Sequence, residues 1–167
     1  MQTENNYKAP DAARIGHVHL KVSDLNRSLE FYQGLLGFDL TMMYGDQAAF
    51  LSAGGYHHHI GLNTWHSLNA PPAQQQAVGL YHTAFLYPSR KDLARILDRI
   101  RRAYYPVRGA SDHGVSEALY LDDPDGNGVE LYWDRPKEQW PKNPDGSLTL
   151  FTRALDLDNL LRELDVK

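Results

Sequence analysis

The segment IGHVHLKV, Ile15 to Val22, alternates along its length. In an extended strand it places His17, His19 and Lys21 on one face and Val18, Leu20 and Val22 on the other. The period then changes. In SDLNRSLEFYQGLLGF, Leu25, Leu29, Tyr32 and Leu36 recur at helical spacing, with Ser23 or Asp24 as N-cap and Gly37 just past the end. Three short strand-like runs follow, DLTMMYG, QAAFLSAG and HHHIGLNTW, separated by glycine or polar turns.

A proline- and glutamine-rich loop, Asn69 to Ala77, precedes a return of the same order. GLYHTAFLY reads as a strand and SRKDLARILDRIRRAYY as a helix. Ser89 and Asp92 form its capping box, and Leu93, Ile96, Leu97 and Ile100 its buried stripe. Strands are expected at YPVRGA, SEALYLDD and GVELYWD, with the turn DPDGNG between the last two. Two β-α-β-β-β modules, 14–66 and 78–134, indicate duplication within a single α+β domain spanning 1–167. In the tail, 148–167, Leu155, Leu157, Leu160, Leu161 and Leu164 suit a short amphipathic helix that packs or makes a dimer contact.

Composition narrows the function. The 167 residues carry a net charge of −4 without a basic cluster, which argues against a nucleic-acid partner. The chain has no cysteine, so thiolate nucleophiles, thiolate metal sites and disulfides are excluded. The start MQTENNYKAPDAAR is polar and no apolar run is long enough for a membrane, so a cytoplasmic protein is expected.

Each module opens on a strand bearing a histidine, His17 in the first and His82 in the second. Pseudo-symmetry would set these strands side by side with both rings at one centre. Glu130 lies between Val129 and Leu131 in the last strand, where a carboxylate is costly unless a cation or donor offsets it. Two imidazoles and one carboxylate with an open face suit non-haem Fe(II), though Mn(II), Ni(II) and Zn(II) accept the same donors. A metal held by His17, His82 and Glu130 is therefore expected.

IGHVHLKVSDLNRSLEFYQGLLGF, GLYHTAFLYPSRKDL and YLDDPDGNGVELYWDRP resemble the two module openings and the metal-carboxylate strand of the vicinal oxygen chelate superfamily. That group contains glyoxalase I, fosfomycin- and bleomycin-resistance proteins and extradiol dioxygenases. The resemblance covers roughly Arg14 to Pro136 and implies a curved mixed sheet around a metal with the same three ligands. GGYHHHIGLN, SDHGVSEALYLDDPDGNGVELY and DRP are similar to stretches of type I catechol 2,3-dioxygenases, most of which have four modules where this chain shows two.

This second resemblance implies ring cleavage of a small aromatic diol with O₂, commonly by a homodimer. It implies His58 as the histidine that moves a proton near O₂, and His113 and Tyr120 as groups that orient the diol. On a strand His57 and His59 would face away from His58. Phe50, Trp65, Tyr132 and Trp133 either line a ring-shaped pocket or pack the core. A glyoxalase-type isomerase would want a second carboxylate in HHHIGLNTW, which has none. A fosfomycin-type transferase would want a cationic pocket, and Lys21, Arg101 and Arg108 are not obviously clustered. A bleomycin-resistance-like binding protein would not need the histidines and the glutamate.

Overall fold

The computed structural model describes residues 7–72, 74 and 76–165. The first six residues of the polar start, Ala73 and Gln75 of the Pro/Gln loop, and the last two residues of the tail lie outside the described set.

The first module runs β1 (Val18–Lys21), α1 (Leu25–Leu29), β2 (Asp39–Tyr44), β3 (Ala48–Ser52) and β4 (Ile60–Asn63). Between α1 and β2 the helix continues in π geometry over Glu30–Leu35. Asp24 is the N-cap, its side chain accepting from Arg27 N at 3.1 Å, and Gly37 leaves the helix at φ 83°. The second module runs β5 (Thr83–Leu86), α2 (Arg90–Arg102), β6 (Gly109–Asp112), β7 (Ser116–Asp122) and β8 (Gly128–Asp134). Ser89 caps α2 by accepting from Asp92 N and donates its hydroxyl proton to Asp92 Oδ2 at 2.6 Å. A short strand β9 (Arg153–Ala154) and the helix α3 (Leu157–Leu161) form the tail.

The strands form two mixed sheets, ordered β1-β4-β3-β2 and β5-β8-β7-β6-β9. In each, the opening strand pairs parallel with the closing one and the rest is antiparallel. The order of elements and the α+β class follow the periodicity, but the expected single curved sheet around a metal is not found. Neither sheet closes, β1 and β5 are open edges of different sheets, and the described residues contain no group of three His, Asp or Glu able to hold an ion. The physical reason lies in how the modules pack. Leu25, Phe31 and Tyr32 from the first helix share one apolar cluster with Leu93, Leu97 and Ile100 from α2 and with Leu119 and Leu131 from the second sheet. Side chains on the helical side therefore join the modules, and the outer edges of β1 and β5 are left without a strand partner.

Polar clamps fix this packing. The turn between β7 and β8 carries Asp125 to the start of α1, where its carboxylate accepts from Ser23 N at 3.0 Å and from Ser23 Oγ and Arg27 Nη2, both at 2.5 Å. Two residues earlier, Asp123 accepts from Asp125 N, Asn127 N and Asn127 Nδ2, and from the buried Tyr32 hydroxyl at 3.0 Å. Burial nevertheless raises the Asp123 pKa, and burial together with Asp123 raises that of Tyr32. At the other end, buried Glu117 is held by Arg90 and Arg135, each at 2.7 Å. Arg90 also reaches Glu163 and Asn159, which ties the tail to the second sheet.

Removing the Asp125 carboxylate would strip Ser23 N of its acceptor. Asp125→Ala is expected to destabilise the protein by about 1–3 kcal/mol, read as a lower urea midpoint. An unchanged midpoint would show that the turn does not hold the modules together.

Candidate functional site

The register of the second sheet assembles most of the candidate site. Tyr120 on β7 is the direct cross-strand partner of Glu130 on β8, so their side chains emerge together on one face. Ala84 of β5 pairs with Glu130 from the other side, which puts His82, two residues before Ala84, on that face as well. His82 Nε2 lies 2.9 Å from Glu130 Oε2, and the Glu130 side chain is 13% exposed. The Tyr120 hydroxyl donates to Glu130 Oε1 at 3.0 Å, and His113 Nε2 lies 2.7 Å from that hydroxyl. Burial, reinforced by the Glu130 charge, holds the Tyr120 hydroxyl well above its ordinary pKa, so it serves as a proton donor in a hydrogen bond.

These groups open on a cavity of about 440 Å³ whose wall includes His82, Arg108, Ser111, His113, Tyr120 and Thr152. Gly109 sits opposite Tyr120 in the β6–β7 register, and a Cβ there would meet nothing within 4 Å, so the space beside the tyrosine stays open. Arg108 pairs with Asp122 at 3.0 Å. Sequence reasoning missed Ser111 and Thr152. Thr152 lies in a tail that its leucine spacing marked only for packing, and no periodic signal points to it.

The first sheet carries a different cluster. The His58 ring lies 4.5 Å from that of His17 and 5.0 Å from that of Phe50, centroid to centroid. His19 is flanked by Phe50 at 5.8 Å and Trp65 at 5.5 Å. Burial, with His17 nearby, lowers the pKa of both His58 and His19, which favours their neutral forms. The three consecutive histidines are not on a strand. Gly54 and Gly55, at φ 67° and 78°, reverse the chain, and β4 begins only at Ile60. Strand alternation therefore does not govern them: His57 Nδ1 lies 2.8 Å from His58 Nδ1, while His59 turns to Ser52 Oγ at 3.2 Å. Of the aromatic candidates, Phe50 and Trp65 attend the first-sheet histidines. Trp133 packs against the core, and Tyr132 does not line the cavity.

Superposing the two registers shows how the halves diverged. His19 pairs with Gly61 as Ala84 pairs with Glu130, and Phe50 pairs with Gly61 as Tyr120 pairs with Glu130. Gly61 thus stands where the second module has its carboxylate, and Phe50 where it has its tyrosine. A Cβ on Gly61 would come within 2.9 Å of the His19 ring, so that ring occupies the room a side chain would need. The donors consequently divide: His82 and Glu130 meet on one sheet, and His17 and His58 meet on the other. His17 does not join the first pair within one chain.

The Glyoxalase/Bleomycin resistance protein/Dioxygenase superfamily matches residues 14–131, and the chain belongs to it. It is 40% identical over 149 residues to a catechol-2,3-dioxygenase of Bacillus subtilis, a match covering 89% of this chain and 51% of that protein. It is 34% identical over 122 residues to biphenyl-2,3-diol 1,2-dioxygenase 3 of Rhodococcus globerulus, covering 72% of this chain and 63% of that enzyme. The chain thus spans between half and two thirds of the length of these relatives. In architecture it is similar to a glyoxalase/dioxygenase from Nostoc punctiforme, with a TM-score of 0.62, 19% identity, and coverage of 80% of this chain and all of that one. No described helix is long and apolar enough to cross a membrane.

The position of His82 depends on Gly128, where a Cβ would overlap the Tyr81 carbonyl oxygen and approach His82 Cβ at 3.1 Å. Gly128→Ala is expected to destabilise the fold by about 1–3 kcal/mol and to move the His82 ring away from Glu130, read as altered ¹⁵N shifts of His82. Gly109→Ala, with open space at its Cβ, should leave both nearly unchanged. Equal effects from the two substitutions would show that the close approach at Gly128 does not position His82.

Proposed function

We propose that the protein is a metal-dependent extradiol dioxygenase that cleaves a catechol-like ring with O₂ and works as a homodimer. The observation that carries this reading is the connected set His113–Tyr120–Glu130–His82, of which His82, His113 and Tyr120 line the cavity. Similarity to enzymes named for diol cleavage supports it.

An imidazole and a carboxylate 2.9 Å apart, with the other carboxylate oxygen held by a tyrosine, suit a divalent first-row ion. One chain offers two of the three proposed ligands, so a second copy is needed to bring His17 to His82 and Glu130. The strands that follow His17 and His82, β1 and β5, are both edge strands open to it. Fe(II) is the proposed ion, with Mn(II), Ni(II) or Zn(II) as alternatives. When bound, it supplies Lewis acidity and open coordination positions for the diol and O₂.

The chain's own residues account for the remainder. Tyr120 and His113 offer hydrogen bonds that orient a diol oxygen in the cavity. His58, favoured in its neutral form, can accept a proton. Phe50 and Trp65 offer aromatic surface beside His19 on the first-sheet side. Gly61 argues against a glyoxalase-type isomerase, since it stands where that chemistry would need a second carboxylate.

The test is anaerobic reconstitution with Fe(II), followed by oxygen uptake on a panel of catechols and a watch for yellow ring-cleavage product. Metal-dependent uptake with a yellow product is expected, and metal binding without uptake on any diol would overturn the dioxygenase reading. His17→Ala and Glu130→Ala should each lower kcat by about a hundredfold or more. Their co-expression should restore about a quarter of wild-type activity, because a mixed dimer keeps one of its two shared sites intact. Active wild type without such recovery would place each site within one chain.

A further inference from the structure

The tail contributes more than packing. β9 pairs with β6 at Ser111↔Ala154 and Asp112↔Arg153, which delivers Thr152 to the wall of the cavity and sets Phe151 beside it in the chain. A Cβ on Gly114 would come within 2.7 Å of the Phe151 ring, so that ring seats on the residue after His113. The Arg153 guanidinium covers the same ring at 4.3 Å. His113 Nδ1 consequently faces two groups from the tail, Thr152 Oγ1 at 3.2 Å and the Phe151 carbonyl oxygen at 3.3 Å.

Proton accounting along this set restricts how it is wired. Tyr120 has one hydroxyl proton, and it goes to Glu130 Oε1, a carboxylate that can only accept. The short contact between Tyr120 and His113 Nε2 then needs a proton on Nε2. In neutral His113 this leaves Nδ1 bare. A bare Nδ1 is satisfied by the Thr152 hydroxyl, which can donate, and not by the Phe151 carbonyl, which can only accept.

We propose that Thr152 is a positioning residue that sets the tautomer of His113 and, through it, directs the Tyr120 proton to Glu130. Without the hydroxyl, the Phe151 carbonyl becomes the better partner and draws the proton to Nδ1. Nε2 then accepts from Tyr120, and Glu130 Oε1 loses its donor. The direction of the whole chain of hydrogen bonds reverses through one tail side chain that touches neither Tyr120 nor Glu130. The proposal rests on these residues forming the site, and its test does not depend on the reaction.

The test is long-range ¹H–¹⁵N NMR of the imidazoles in the metal-free full chain at alkaline pH. His113 should show a protonated Nε2 and a bare Nδ1. Thr152→Val, which keeps the shape and removes the hydroxyl, should shift the tautomer ratio toward protonated Nδ1 by about fivefold or more. Thr152→Ser should restore the wild-type pattern. Unchanged backbone amide shifts for β6 and β9 would confirm that Thr152→Val leaves the tail docked. A wild-type ring protonated on Nδ1, or a ratio that Thr152→Val leaves unchanged with the tail docked, would overturn the proposal. A failure to cleave any diol would leave this result standing.

Discussion

The turn from Asp123 to Asn127 ties the two halves of the molecule together. Asp123 gathers two backbone N–H groups, an amide and a tyrosine hydroxyl around one buried carboxylate, and Asp125 then grips the first turn of α1. Burying Asp123 is unfavourable for its charged form, and four donors offset much of that cost. The same turn sets where β8 begins, and hence which residue of β7 stands opposite Glu130. A hairpin turn thus connects module docking with the placement of the Glu130 carboxylate.

The repeat was put to unequal use. Both modules keep the parallel pairing of first and last strand, so each offers a histidine beside an open edge. The second added a carboxylate, a phenol and an imidazole in hydrogen-bonded series. The first filled the equivalent places with glycine and phenylalanine and gathered histidines and Trp65 around them. A hydrogen-bonded series of polar groups thus lies on one sheet, and aromatic surface with weakly basic rings on the other.

Much of this was legible in the sequence because it follows from local rules. Asp24 and Ser89 cap as their types predict, and Leu93, Leu97 and Ile100 are fully buried as their spacing requires. The pairing of Tyr120 with Glu130 follows once the DPDGN turn is placed, since a hairpin register is set by its turn. What failed was non-local. Periodicity states which face of each strand is apolar but not which module surface meets which, so the side-by-side placement of His17 and His82 did not follow. The π-helical stretch after α1, the bend that keeps His57 to His59 off a strand, and the strand that brings Thr152 to the cavity all depend on partners remote in the chain.

The glycine at position 61 has a consequence in genetic terms. Codons for glycine and glutamate can differ by a single base, so a symmetric pair of carboxylates lies a short mutational distance from this chain. His19 makes that step less accessible than the codon suggests, because its ring would have to vacate the space first. A gain of the second carboxylate therefore depends on a prior change at His19. The order of substitutions, more than their number, would govern passage between the chemistries this fold supports.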